Sequence, residues 1–292
     1  MTKRMTAPAT SMTSQDLRRA VSRIQSGKSY DLDCGRWPGM PLFAGHPQFQ
    51  VLNYRTPRGL SNQGDQTWLG SNEVNFGWHS DLVMGTVHTG THIDALSHVT
   101  CGHDSHWFGG MASAEHSGDF GPLRDDAAEI PSIITRGVLI DVAGHRGVDA
   151  LDAHAEIGRE DLEQALEAQG SEVRKGDVVL VRTGYLSAWP DPVVMAAHFQ
   201  AGINVPAAEY LAEKGAIAVG GDTESLECLP SRVDGDPHPV HIALLIERGV
   251  FILEMVYLEE LARDSVYEFC FICLPLKIRG ATGSMVRPIA LV

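Results

Sequence analysis

Gly137-Val-Leu-Ile-Asp-Val142, Asp177-Val-Val-Leu-Val-Arg182, Ala216-Ile-Ala-Val-Gly220 and Val250-Phe-Ile-Leu253 are four short apolar runs that recur through the second half of the chain. Runs of this length and continuity suit strands buried on both faces. The segments between them have helical character. Arg159 to Gln169 places Leu162, Ala165 and Leu166 on one face and stops at Gly170. Pro206 to Lys214 has a proline in its first turn and Gly215 after its last, and Val240 to Arg248 lies before the fourth run. A further strand is expected over Tyr267 to Leu274. Strands alternating with helices predict an α/β sheet in one compact domain.

Upstream the pattern is looser. Leu82 to Val87 reads as a strand, and Gly35 to Trp78, rich in Gly, Pro and Trp, as a long irregular stretch of the kind that lines ligand pockets. Ser14 is placed to cap a helix over Gln15 to Ile24 with Leu17, Val21 and Ile24 on one face, after a loose tail over Met1 to Thr13. The expected organisation is an N-terminal extension with covering loops over 1–80 and a main domain over 81–292, one structural domain overall.

Composition narrows the function. The 292 residues carry a formal charge of −14, which repels phosphate backbones and anionic membranes, so neither nucleic acid nor a membrane is an expected partner. No apolar run approaches the roughly 20 residues that span a bilayer. Met1 to Ser14 shows no secretory pattern, and five scattered cysteines read as reduced thiols in a cytoplasm. Cys270 and Cys273 sit in an apolar strand and read as core thiols. Gly27-Lys28-Ser29 lacks the earlier glycine of a phosphate loop, since position 22 is Ser22.

The 13 histidines are distinctive, and they cluster. His88-Thr-Gly-Thr-His92-Ile-Asp94-Ala-Leu-Ser-His98 holds three imidazoles and a carboxylate within eleven residues. In extended chain, i and i+2 share a face, so His92 and Asp94 point the same way. His88 can fold back through a turn at Gly90. Two imidazoles and a carboxylate on a divalent ion leave positions open for water, the arrangement of a catalytic site. His98 is close enough to serve as a proton-transfer group. Downstream, His241 opens a helix, and Glu254 interrupts an apolar strand, where an unpaired carboxylate is costly. Both are candidate further ligands. Trp78 and His79 are candidates for substrate contact. Asp222, in a Gly-rich turn, is a candidate for a role next to the metal or the substrate, or else simply a turn residue.

The pattern His88-x-Gly90-Thr91-His92-x-Asp94-x-x-x-His98 resembles the signature of the metal-dependent cyclase-type hydrolases, which include bacterial kynurenine formamidases, isatin hydrolases and predicted polyketide cyclases. Gly176 to Gly184, Gly220 to Ser225, His241, Gly249 and Glu254 agree with it. The resemblance implies that His88, His92 and Asp94 bind metal, that His98 is the acid/base, and that His241 and Glu254 complete a site of one or two ions. It implies a swivelling β/β/α domain that assembles into oligomers. This chain departs in its longer region before Asp81 and in Ala95-Leu96-Ser97, where the family often has proline.

The expected activity is hydrolysis of a cyclic or aryl-linked amide C–N bond in a small molecule. The expected cofactor is Zn(II) or Mn(II), one or two per subunit. Ester or lactone hydrolysis, polyketide cyclisation, and metal or ligand binding without turnover are the alternatives. A dimer or tetramer is expected, from the family resemblance and because the apolar C-terminal run Ile289 to Val292 needs cover.

Overall fold

The computed structural model describes residues 5–64, 68 and 70–292; the first four residues of the predicted tail lie outside it. Strand Ile133–Asp141 is buried at every position but Ile134. It pairs in parallel with Val178–Arg182, with Gly137 opposite Val178 and Asp141 opposite Arg182. That strand pairs in parallel with Ala218–Gly221, which pairs in parallel with Phe251–Glu254. The four apolar runs thus lie side by side in the order of the sequence.

The connecting helices follow their local signals. Arg159–Gln169 ends at Gly170, which takes a left-handed φ of 64°. Val205–Glu213 begins at Asn204, whose side chain accepts from the Ala207 amide. The third helix departs from expectation: a single α-turn over Pro239–His241 runs into π-helix over Ile242–Arg248. Widened turns of this kind are rare and tend to occur at functional sites.

Antiparallel strands flank this parallel centre, and among the described residues nine strands make one mixed sheet. Glu268–Cys273, Ile289–Leu291 and Ser29–Asp31 extend one side, and His92–Asp94 and Gly283–Met285 the other. The domain is therefore mixed α/β. The C-terminal run is already covered, since Ala290 is buried between the strands at 29–31 and 268–273; it gives no reason for an oligomer. Cys270 and Cys273 are free and buried, and burial pushes the Cys273 thiol up to about 12. At the heart of the sheet the fully buried Arg136 donates to Asp177 Oδ1 at 3.1 Å and Oδ2 at 2.5 Å.

Three N-terminal expectations change. The first helix spans Ser14–Val21 and is capped by Thr13, not Ser14, in a capping box with Asp16. Its stripe of Leu17, Val21 and Ile24 faces solvent, while Ala20 is buried. The stretch from Gly35 to Trp78 is not all irregular. It contains strand Gln50–Arg55 and helix Pro57–Gln63. That strand pairs with Ser80–Met84, so the strand predicted over 82–87 begins two residues earlier and ends three earlier than expected. The pair forms an arm separate from the main sheet, and Val51, Leu52, Tyr54, Leu82, Val83 and Met84 on it are all exposed. Among the described residues no helix is long and apolar enough to cross a membrane.

Candidate metal centre

The strand His92–Asp94 alternates as its sequence demands. Ile93 points into the core, and His92 and Asp94 point together to the other face, with His92 Nε2 3.6 Å from Asp94 Oδ1. Register supplies the next donor. Glu254 is directly opposite His92 across the antiparallel pair, and its Oε2 lies 3.1 Å from His92 Nε2. Gly90 makes the expected turn with φ of +59°. Its carbonyl accepts from His92 Nδ1 at 2.7 Å, which leaves Nε2 free to face the carboxylates. The turn returns His88 to the cluster, with Nδ1 donating to Asp94 Oδ1 at 2.8 Å and Nε2 3.0 Å from Thr282 Oγ1. Gly283 is glycine for space: a Cβ there would come within 2.7 Å of the His88 ring.

His241 arrives from the helix side. Its Nε2 lies 3.3 Å from Glu254 Oε1 and 3.9 Å from Asp94 Oδ2. Its Nδ1 donates to Glu227, which is 1% exposed and also takes hydrogen bonds from the Val240 amide at 3.1 Å and His238 Nδ1 at 3.2 Å. A carboxylate behind an imidazole fixes the ring's tautomer and orientation. Sequence reasoning missed Glu227; its signal was a carboxylate between the apolar Leu226 and Cys228, twelve residues before the α-turn that carries His241. It also missed Arg36, which donates to the Thr89 and Thr91 carbonyls, and Thr91, whose hydroxyl donates to the Met255 carbonyl at 2.6 Å. These bonds tie the ligand-bearing loop to the N-terminal region and to the strand carrying Glu254.

The electrostatics call for a cation. Burial works against charge on His92 and His241, yet Glu254 and Asp94 hold the first ring's pKa above its ordinary value, and Glu227 and Glu254 hold the second's well above. Burial likewise opposes ionisation of Asp94, but His98, His88 and His92 outweigh it and hold that carboxyl well below the usual range. Even so, buried Asp94 Oδ2 and Glu254 Oε1 have no hydrogen-bond partner of good geometry. Orphaned buried carboxylate oxygens beside imidazoles are the chemistry of a divalent metal site. Among the described residues three groups could hold an ion, each with donor atoms within 4.8 Å of one another: His88, His92 and Asp94; Asp94, His98 and His241; and, behind the centre, Glu227, His238 and His241.

His98 lines the cavity beside this centre. Its ring is 4.0 Å from that of His88 between centroids and 6.2 Å from that of His241. Burial, with the neighbouring imidazoles His88 and His241, pushes it down to about 4, so it is neutral near pH 7. The cavity measures about 120 Å³. Pro41, Leu42, Phe43 and His46 close it from the N-terminal region, and Glu224, His238 and Met255 from the other side.

Three predicted contacts lie elsewhere. Trp78 packs on Trp68 and Phe76 at the base of the arm, and His79 beside it is exposed; neither lines the cavity. Asp222 is buried outside the cavity wall. It accepts from the Thr183 amide and hydroxyl and from the Gly184 amide at 2.7–2.9 Å, so its work is to hold a backbone turn.

The chain is similar to known proteins in sequence and in fold. Residues 30–228 match the model of the Cyclase family, a span that includes the first cluster and stops short of His241 and Glu254. The chain is 30% identical over 222 residues to a kynurenine formamidase of Bacillus thuringiensis (strain Al Hakam), covering 75% of this chain and 81% of that one. A crystal structure described as a novel cyclase superposes with a TM-score of 0.84 at 28% identity, over 98% of this chain and 95% of that one. Isatin hydrolase A from Labrenzia aggregata shares the fold, with a TM-score of 0.64 at 21% identity over 94% of this chain and 98% of its own. With the family match running over well more than half of its length, the chain belongs to the cyclase family.

Proposed function

We propose that the protein is a metal-dependent hydrolase of an amide C–N bond in a small cyclic or aryl-linked substrate. The observation that carries this reading is the buried His/Asp/Glu set with orphaned carboxylate oxygens, opening on a cavity beside neutral His98. The formamidase relative supports the bond type. His88, His92 and Asp94 would hold a divalent ion, Zn(II) or Mn(II), and His241 and Glu254 would complete the site or hold a second one. Such an ion, when bound, polarises a carbonyl and makes a water more acidic.

The chain's own residues do the rest. The carbonyl of Gly90 and the carboxylate of Glu227 fix the proton-bearing nitrogens of His92 and His241, so their other nitrogens face inward. Neutral His98 accepts a proton as water adds to the scissile carbonyl carbon. It returns that proton to the departing nitrogen as the C–N bond breaks, leaving a carboxylic acid and an amine. Asp94 stabilises the transient His98 cation.

The test is direct. Protein stripped with a chelator is expected to lose hydrolysis of an aryl formamide and to regain it with Zn(II) or Mn(II). His92→Ala and Asp94→Ala are expected to lose both metal and turnover. Either variant holding full metal by elemental analysis overturns the assignment.

The protein also acts as a homo-oligomer in the cytoplasm, on this reading. The feature that favours assembly is the arm, whose apolar side chains are exposed along both strands.

A further inference from the structure

Glu224 is a carboxyl on the cavity wall that the hydrolytic mechanism does not use. Among the described residues its one hydrogen-bond partner is Tyr185, whose hydroxyl lies 3.2 Å from Oε1. Its second oxygen has no hydrogen-bond partner among the described residues. The pair is held rigidly. Asp222 clamps the amides of Thr183 and Gly184, and the Thr183 hydroxyl accepts from the Tyr185 amide at 3.2 Å. The Tyr185 ring is 3% exposed and packs in a small apolar cluster with Cys34, Leu186, Met195 and Met255.

Three further facts bear on what this wall would meet. Burial pushes Glu224 up to about 7, with the Tyr185 hydroxyl working against the shift and Glu254 adding to it. No lysine or arginine lines the cavity among the described residues. The chain as a whole carries −14, a field that draws cations and repels anions. A carboxyl with one oxygen held by a tyrosine, and with no lysine or arginine on the same wall, rewards a partner that donates hydrogen bonds and carries positive charge.

We propose that Glu224, positioned by Tyr185, forms a subsite for an ammonium or amine group of the substrate, so that the enzyme selects amine-bearing substrates over anionic ones. This rests on the hydrolase reading for its catalytic consequence, though not for binding. An amine would donate to the free oxygen of Glu224, while Tyr185 keeps the other oxygen occupied and the carboxyl oriented. A substrate carboxylate in the same place would meet Glu224 with no lysine or arginine on the cavity wall, among the described residues, to pair with it.

Metal-loaded enzyme is assayed on three formanilides that differ only at the para position, bearing aminomethyl, methyl or carboxylate. The expected order of kcat/KM is aminomethyl, methyl, carboxylate, with steps of about tenfold expressed mainly in KM. Glu224→Gln is expected to lose the aminomethyl-over-methyl preference. Binding of benzylamine and of benzyl alcohol is followed by calorimetry on the same proteins, which needs no turnover. Wild type is expected to favour benzylamine, Glu224→Gln to show no preference, and Tyr185→Phe, which keeps the ring, to bind benzylamine more weakly. A preference that survives in Glu224→Gln, or is absent from the wild type, overturns the subsite. Should Glu224→Gln fail to fold, unchanged benzylamine affinity in Tyr185→Phe overturns it. Benzylamine bound through Glu224 without hydrolysis of any formanilide would leave the subsite standing and sink the hydrolase reading alone.

Discussion

His98 stands within ligand distance of Asp94 and His241 and also on the cavity wall, and the two positions imply different chemistry. As the proton carrier, it is expected to leave metal content intact in His98→Ala while turnover of an amide falls by roughly 10²–10⁴-fold. An activated ester should suffer less, because its leaving group departs without a proton. As a ligand, it would take metal and both activities down together. Metal analysis with rates on an amide–ester pair separates the outcomes. Behind the centre, Glu227→Gln removes the carboxylate that orients His241 and is expected to weaken metal binding by about 10–100-fold, read by competition with a chelating dye. Glu224 also carries a pH signature. A carboxyl raised from 4.5 to about 7 on folding contributes stability that is full below its unfolded value and is lost as pH rises through the folded one. The metal-free wild type should therefore lose ground to Glu224→Gln between about pH 4.5 and about pH 7 in denaturant melts; a constant gap across that range would refute the shift.

At the scale of elements, the sequence revealed periodicity and little of adjacency. The i,i+2 spacing of His92 and Asp94 and the turn at Gly90 were readable because they are local backbone geometry. The four parallel strands were readable from their continuous apolar runs. That Glu254 stands opposite His92 was not, because register between strands distant in sequence is set by the whole sheet. The arm escaped notice because its strand at 50–55 is exposed on both faces and lacks the burial that produces alternation. Leu17, Val21 and Ile24 had helical spacing, but spacing alone does not say whether an apolar stripe meets the core. The strand pair at the centre carries its own test. Asp177→Ala removes the buried carboxylate from the fully buried Arg136, which keeps Glu268 at 3.1 Å, and is expected to cost about 3 kcal/mol in chemical denaturation, with the metal donors untouched.

For the whole molecule, the arm and the metal centre make separate demands. Replacing Leu52 and Leu82, which face each other on the arm, with lysine is expected to shift the protein to monomers in light scattering. A monomeric wild type would remove the proposal of assembly. Metal should act on stability by mass action: at about a hundred times its dissociation constant a divalent ion is expected to add about 2.7 kcal/mol to unfolding, seen as a concentration-dependent melting temperature.

The donors of the centre also have an order in time. Thr91, in the middle of the first cluster, is bonded to the carbonyl of Met255, 164 residues further along the chain, and the strand at 92–94 is flanked on its other edge by Gly283–Met285. A ribosome takes on the order of ten to thirty seconds to cover the distance between those two bonded residues. Throughout that interval His88, His92 and Asp94 are exposed on a nascent chain without their opposing carboxylate. The finished cage exists only once Gly283 to Met285 have been added, so an ion bound before then would meet the first cluster without its opposing carboxylate and without the strand that flanks it.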